Sequence, residues 1–539
     1  WTAMLARYQM ILRQGKPRID LGILRLDYNF NNMYMFGTGE KDLYENQLMR
    51  ANQGVYWQDM GLQNAGYTFD YFAPQILEDK DIGYAAGELA PDGPGYRALL
   101  IYQEALPLSS AKRILALARA GLPVVLVNGL TEKIRPAVSK THGKAASCSP
   151  FNAESDGELA AVIGELKALA NVVELDDQSK TNEALRSLGV RPRAAFTEPN
   201  KNILSALRED GDKRYIFLYN YLYTQREAFE FGVTLEGSGK PRRLNCWTGE
   251  VEEPGLYTRD EAHTTLKLTL SPGEAVLIEL DTAGADSLYA LSTGVDTANA
   301  AVIRQGDTLA LRAFQSGTYT VKLSDGAEKK VEVAVPENIP LKTWDLEVED
   351  WDEGEKKTIV EDRGLGIVTK EVYYETKKTR IPVGRTELKP WREIPALGPA
   401  VSGVGCYKTS FTLPESWSAE NGALLCIGST QGNSAAVYVN GKKAPAFDFN
   451  RRKLDITALL IPGENSVTVE VSSTLNNRLL ARNYPEIVAK MGERMAQDFS
   501  EAEGVEEMSN MMKVKPPDPQ DYGMTGEVKI LTYTLKELI

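Results

Sequence analysis

The sequence predicts a multidomain α/β plus β protein, with a doubly wound α/β domain followed by β-sandwich-type modules. Three observations lead there. Ala98 to Tyr102 (ALLIY) and Val124 to Val127 (VVLV) are short apolar runs with one helix-length segment between them, the pattern of a right-handed βαβ crossover. From about residue 213 the apolar period changes from helical to two, as half-buried strands require. Residues 432–479 then read as short antiparallel strands, with Asn440-Gly441 as a two-residue hairpin turn.

In chain order, Trp1 to Gln14 predicts a helix with Met4, Leu5, Tyr8, Ile11 and Leu12 on one face, stopped by Gly15 and Pro17. A chain that starts inside a helix leads us to expect that residues 1–17 enter from an upstream domain. Arg18 to Leu26 predicts a strand. Residues 27–66 form a long stretch rich in Asn, Tyr, Gly and Met, and insertions of that length in compact domains are often functional loops. Tyr67 to Leu77 has a helical pattern interrupted at Pro74. Ser109 is placed to cap a helix from Ser110 to Ala120 that ends at Gly121. Further helices at 156–170 and 179–188 would cover the sheet. Residues 18–200 are therefore expected to form a flavodoxin- or amidotransferase-like α/β domain. No G-x-G-x-x-G follows the first strand and no G-x-x-x-x-G-K-[ST] occurs, so no nucleotide fingerprint is present.

The β region divides into a domain at 201–282, a small module at 283–340 with a turn at Ser324-Asp325-Gly326, and a final sandwich at 341–539. Tyr215 to Tyr219 is a strand. Phe229, Phe231, Val233 and Leu235 alternate with polar residues or Gly, as do Leu266, Leu268 and Leu270 before Ser271-Pro272-Gly273. The acidic stretch 345–362 reads as a strand with a solvated face, because Trp344, Leu346 and Val348 alternate with its acids. Tyr407, Thr409, Phe411 and Leu413 open the last run, and Val467, Val469 and Val471 follow a Pro462-Gly463-Glu464-Asn465 turn. The stretch around Met508, Met511 and Met512 reads as a surface helix or loop.

The composition, 43% hydrophobic and 25% charged, is that of an ordinary globular protein. A net charge of −13 argues against nucleic acid or an anionic membrane as partner, and no run of about 18 apolar residues suggests a membrane span. The four cysteines lack any C-x-x-C; Cys406 and Cys426 could pair in an oxidising compartment, with buried free thiols the favoured reading. Sparse cysteine leans toward the cytoplasm, with secretion or the periplasm left open. His142 and His263 are the only histidines, so neither a His-centred triad nor a multi-histidine metal site is expected, and no metal ligands are assigned.

The order of three segments carries a family resemblance. MLARYQMILRQGKPRIDLGIL, LQNAGYTFDYFAP and YRALLIYQEALPLSSAKRILALARAGLPVVLVNG come first. YIFLYNYLYTQREAFEFGVTL with RRLNCWTGEVEEPGLYT is second. VSGVGCYKTSFTLP, YVNGKKAPAF and VSSTLNNRL are third. Together they resemble the region that follows the catalytic barrel in glycoside hydrolase family 106 enzymes, whose best-known activity is α-L-rhamnosidase. The resemblance covers most of the chain. It implies a C-terminal galactose-binding-like jelly roll, a carbohydrate substrate, and catalytic carboxylates in a (β/α)8 barrel upstream of Trp1. Residues 18–190 are too few for eight βα units, so the barrel is expected from another chain or segment. No cofactor is implied here, although a calcium ion in that barrel is compatible with the resemblance, as is a homo-oligomer. A carbohydrate-binding or scaffolding protein without catalysis is the alternative.

Glycoside hydrolysis needs two carboxyl groups about 5–9.5 Å apart, and 74 acidic residues leave the pair unassigned. Glu40, Trp57, Asp59, Tyr67 and Asp70, in or beside the long loop, offer carboxylates and aromatic faces suited to sugars, against a structural role for Tyr67 in the core and Asp59 in a turn. Asn476, Asn477 and Arg478 follow a strand of the final sandwich. Their amides and guanidinium suit sugar hydroxyls, against a role in tying two sheets together.

Overall fold

The computed structural model describes the chain except residues 27–59, 136–137, 151, 224, 226, 284–287, 296–298, 363, 365–367, 485 and 487–517. The expected loop candidates Glu40, Trp57 and Asp59, and the methionine stretch at 508–512, lie outside the described residues.

The α/β domain is a five-stranded parallel sheet. Its order is Phe69–Phe72, Leu21–Leu24, Ala98–Ile101, Val124–Val127, Val172–Leu175. Strands buried on both faces need continuous apolar runs, and both faces are covered. Leu99, Ile101, Val124 and Leu126 pack under the helices Leu108–Arg119 and Asp156–Lys167. Leu21, Ile23, Leu100 and Val125 pack against Leu62, Ala65 and Leu185 of the opposite helices.

Four local expectations differ from the structure. The strand expected from Arg18 to Leu26 is split, with Lys16–Arg18 paired in the antiparallel sheet and Leu21–Leu24 in the parallel one. Tyr67 to Leu77 is not a helix: Phe69–Phe72 is an edge strand and Pro74–Glu78 a 3-10 turn. Pairing with Leu21–Leu24 satisfies the backbone there, overriding a weak helical pattern. Ser109 does not cap its helix, which starts at Leu108 with Pro107 as cap; Ser109 and Ser110 instead donate to Glu78. The first helix, Thr2–Leu12, buries Met4 and packs Tyr8, Ile11 and Leu12 against Cys246 and Leu277, yet leaves Leu5 53% exposed.

The named strands in the rest of the described chain pair antiparallel. Ala194–Phe196, Phe229–Glu236 and His263–Leu270 form one sheet of the next domain, packed on Ile203–Asp210, Lys213–Asn220 and Ala275–Asp281 around Ile216, Val233, Leu266 and Ile278. In the final sandwich, Trp344, Tyr407, Val437 and Val469 of one sheet meet Leu425, Leu454 and Ile530 of the other. Asn440 and Gly441 both take positive φ, 52° and 74°, as the expected two-residue turn requires. Cys406 and Cys426 are free and half-buried.

The last strand, Thr525–Glu537, crosses an expected boundary. It pairs with Asn421–Ser429 of the sandwich and, through Thr534–Glu537, with Thr308–Ala313 of the small module. Its Thr532 and Thr534 are buried and donate to the carbonyls of Pro336 and Ala334 at 2.5 and 2.9 Å. One hydrogen-bonded sheet therefore runs from the small module into the sandwich.

The acidic strand Trp344–Asp362 pairs with Val368–Thr386, but only Asp345–Asp350 also joins the sandwich sheet. Beyond a bulge between Glu353 and Lys356 the two strands project as a ribbon, exposing Val360, Val368 and Tyr374. Replacing 354–375 by a short turn is expected to shift the melting temperature by no more than about 2–4 °C, the effect of about 1 kcal/mol in a domain of about 150–250 residues. A larger drop in a thermal melt would show that the ribbon supports the core.

Candidate functional site

In open parallel sheets, ligands bind beyond the carboxyl ends of the strands where the strand order reverses. Here that point lies between Leu21–Leu24 and Ala98–Ile101. The polar groups around it are engaged with one another. Gln103 Oε1 accepts the Leu26 N–H at 2.7 Å, and Glu104 accepts that of Gly143 at 2.5 Å. Asn128 donates to Glu174 and Asp176 at 2.9 Å each and accepts from the Ala145 N–H.

Tyr67 and Asp70 sit at the edge of this sheet. Tyr67 is buried and its hydroxyl donates to the Val190 carbonyl at 2.7 Å. Asp70 is half-buried and accepts from the Tyr96 hydroxyl at 3.0 Å. Burial pushes the Asp70 carboxyl above its ordinary range, opposed by that hydrogen bond.

Asn476, Asn477 and Arg478 open a short helix, Asn476–Ala481, far along the chain. Asn477 is buried; its amide donates to the Gln520 carbonyl and its oxygen accepts the Gln520 N–H, both at 2.8 Å. Asn476 donates to the Asp518 carbonyl at 3.2 Å. Arg478 Nη2 reaches both oxygens of Asp350, at 2.6 and 2.5 Å, and Nη1 lies 3.4 Å from Asp352. These contacts tie the turn to the acidic strand and to the segment before the last strand. Among the described residues, no hydrogen bond or ion pair joins this group to Tyr67 or Asp70.

A cavity of about 780 Å³ opens at the seam between the small module and the sandwich. Residues with alternate spacing on paired strands build it. Arg312 faces Leu535 across the ladder, Tyr533 faces Gly422, and Leu424, two residues on, faces Asp455. Glycine at 422 is required, because a Cβ there would stand 2.1 Å from the Tyr533 ring. Tyr533 donates to Asp455 Oδ2 at 3.0 Å and lies 3.0 Å from the Thr457 hydroxyl. Burial, helped by the Asp455 charge, pushes the Tyr533 phenol upward, so it stays protonated. Arg312 lies over the Tyr533 ring, 5.0 Å from its centroid, at cation–π distance. Lys443, Glu250 and Gln305 complete the polar lining.

Sequence reasoning missed these residues because 221 positions separate Arg312 from Tyr533 and no motif links them. The alternation of Tyr533 and Leu535 with Thr532 and Thr534 marks a strand, but not its partner. A second cavity, about 700 Å³, lies between Tyr257, Thr265 and Leu291, lined by threonines and apolar groups with Lys267 the charged side chain among its lining.

No family model matches the chain, and no curated protein matches it. Solved structures do. Two partial likenesses have low TM-scores. A catalytic mutant of Gan42B, a GH42 β-galactosidase from G. stearothermophilus, is 13% identical over 49% of this chain and 41% of that one, with TM-score 0.24. The α-L-rhamnosidase from Dictyoglumus thermophilum is 10% identical over 49% and 23%, with TM-score 0.14. The rhamnosidase from Novosphingobium sp. PP1Y is 18% identical, with TM-score 0.56 over 99% of this chain. This chain spans 40% of that protein's length and, over that span, shares its fold.

Proposed function

We propose that the chain is the accessory, sugar-binding-like part of a glycoside hydrolase, of the family 106 type, exo-acting on α-L-rhamnosides or related glycosides. Its catalytic carboxylates would come from a barrel outside this chain. One observation carries the reading: the fold follows that of a rhamnosidase along 99% of this chain while spanning 40% of the rhamnosidase. The five-stranded parallel sheet fits an accessory role, since a (β/α)8 barrel needs eight parallel strands. In this reading the final sandwich is a galactose-binding-like jelly roll, the partner is a barrel chain or segment acting on a carbohydrate, and any calcium belongs to that barrel.

The test is hydrolysis of an aryl α-L-rhamnoside by this polypeptide alone and by the polypeptide joined to, or co-purified with, a barrel. The expected result is no turnover alone and turnover in the assembly. Full activity of a barrel without this chain, or no glycoside hydrolysed by the assembly, overturns the proposal. A second reading, a carbohydrate-binding or scaffolding protein without catalysis, is favoured by the seam cavity, which the chain builds from its own strands.

A further inference from the structure

We propose that the seam cavity binds a sugar carboxylate, a uronic acid unit of a glycan, with Arg312 as the anion anchor. Arg312 differs from the partly buried arginines that are neutralised by a carboxylate. Arg18, Arg193, Arg242 and Arg478 each hold at least one carboxylate. Arg312 has no hydrogen bond or ion pair among the described residues, and its Nε is shielded from solvent with no acceptor. An unpaired buried donor costs about 1–3 kcal/mol, and buried polar groups are rarely left so. The guanidinium lies over the Tyr533 ring and meets no carboxylate among the described residues, so its N–H groups are available to a ligand.

Asp455, a carboxylate of the same lining, is already occupied. Asp455 Oδ1 accepts the Thr457 N–H at 2.9 Å and Oδ2 accepts the Tyr533 hydroxyl. A planar guanidinium with free N–H groups is matched by a carboxylate. The exposed Lys443 adds a second cation to the lining, Gln305 offers an amide to ring hydroxyls, and Glu250 is a further carboxylate that can accept from them. A volume of about 780 Å³ falls within the roughly 300–1,000 Å³ of small-molecule sites. The preference for an anion comes from Arg312; the choice of a sugar acid over other carboxylates rests on the glycoside hydrolase reading above.

Calorimetry of the full chain at low salt tests this, with galacturonate and glucuronate as probes, galactose and rhamnose as neutral controls, and acetate as the bare carboxylate. At least one uronate is expected to bind, at least about tenfold more tightly than the neutral sugars or acetate, a gap of about 1.4 kcal/mol. Arg312→Gln is expected to weaken it at least about tenfold. The exposed Lys443→Glu, which leaves the stacked pair intact, is expected to weaken it severalfold with an unchanged melting temperature, so a folding failure of Arg312→Gln does not decide the matter. No uronate binding at millimolar concentration, affinity unchanged in both variants, or acetate binding as well as the uronates overturns the proposal. Loss of stability without loss of binding in Arg312→Gln also overturns it, leaving the Arg312–Tyr533 pair as a structural contact. Rhamnoside hydrolysis by the assembly with no uronate binding sinks this inference alone; uronate binding with no hydrolysis sinks only the accessory-hydrolase reading.

Discussion

Arg193→Met is expected to destabilise the chain by about 3–5 kcal/mol, the range for removing one partner of a buried ion pair. Arg193 and Asp20 have side chains 5% and 2% exposed. Arg193 Nη1 contacts Asp20 at 3.3 Å and the Ile19 carbonyl at 3.0 Å, while Nη2 reaches Glu88 and the Gly95 carbonyl, both at 2.6 Å. Burial pushes the Asp20 carboxyl upward; Arg193 and the Thr68 N–H oppose that shift. Without the guanidinium, Asp20, Glu88 and two carbonyls lose a donor at once, and methionine returns only the apolar stem. The position magnifies the loss. Asp20 lies between Lys16–Arg18, paired in the antiparallel sheet, and Leu21–Leu24, in the parallel sheet, and Arg193 immediately precedes Ala194–Phe196. The cluster therefore fixes the α/β domain against its neighbour. Asp20→Asn combined with Arg193→Met should cost less than the sum of the two, since one network is removed only once. Urea unfolding followed by fluorescence reads both; a loss below about 1 kcal/mol for Arg193→Met would mean the cluster is solvated in the folded chain.

Much of the fold was legible because its signals are local. The crossover Ala98–Ile101, Leu108–Arg119, Val124–Val127 announces itself through apolar runs of strand and helix length. Asn440-Gly441 carries its own turn geometry. Illegible features depend on partners distant in sequence. Phe69–Phe72 is a strand because Leu21–Leu24 presents an open edge to it, which no eleven-residue window contains. Thr525–Glu537 reads as a strand from its alternation, yet its pairing with Thr308–Ala313 spans more than 200 residues and decides where the seam cavity lies. The same holds for candidate sites. Asn476, Asn477 and Arg478 have side chains suited to sugars, but their partners, Gln520, Asp350 and Asp352, are set by the fold. Arg312 has no distinguishing neighbours in sequence; its place over Tyr533 in the seam cavity, with a buried Nε that meets no acceptor, is set by the fold.

Trp391→Ala is expected to cost about 3–5 kcal/mol, as large aromatic truncations in cores do. Trp391 is 1% exposed, and its indole N–H donates to the Tyr407 hydroxyl at 2.8 Å. That hydroxyl in turn accepts the Met524 N–H at 3.1 Å, and the Trp391 ring meets Tyr522 edge-on at 5.8 Å. Two glycines make room for it. A Cβ on Gly405 would lie 2.5 Å from the indole; one on Gly523, at φ +94°, would lie 2.5 Å from both the indole nitrogen and the Tyr407 hydroxyl. Gly523→Ala alone should thus be destabilising through backbone and clash together. The two causes separate in the double variant. With the indole gone, Trp391→Ala/Gly523→Ala relieves part of the clash, so its loss should fall short of the sum of the single losses by at least about 0.5 kcal/mol, the lower end of coupling between contacting residues. Strict additivity in urea unfolding would assign the glycine to backbone conformation and the Tyr407 hydroxyl, with no share for the indole. Trp391→Phe separates packing from hydrogen bonding in the same way: it keeps most of the ring volume but removes the donor to Tyr407, so a loss near that of alanine would place the stability in the Trp391–Tyr407–Met524 chain of hydrogen bonds rather than in the filled core.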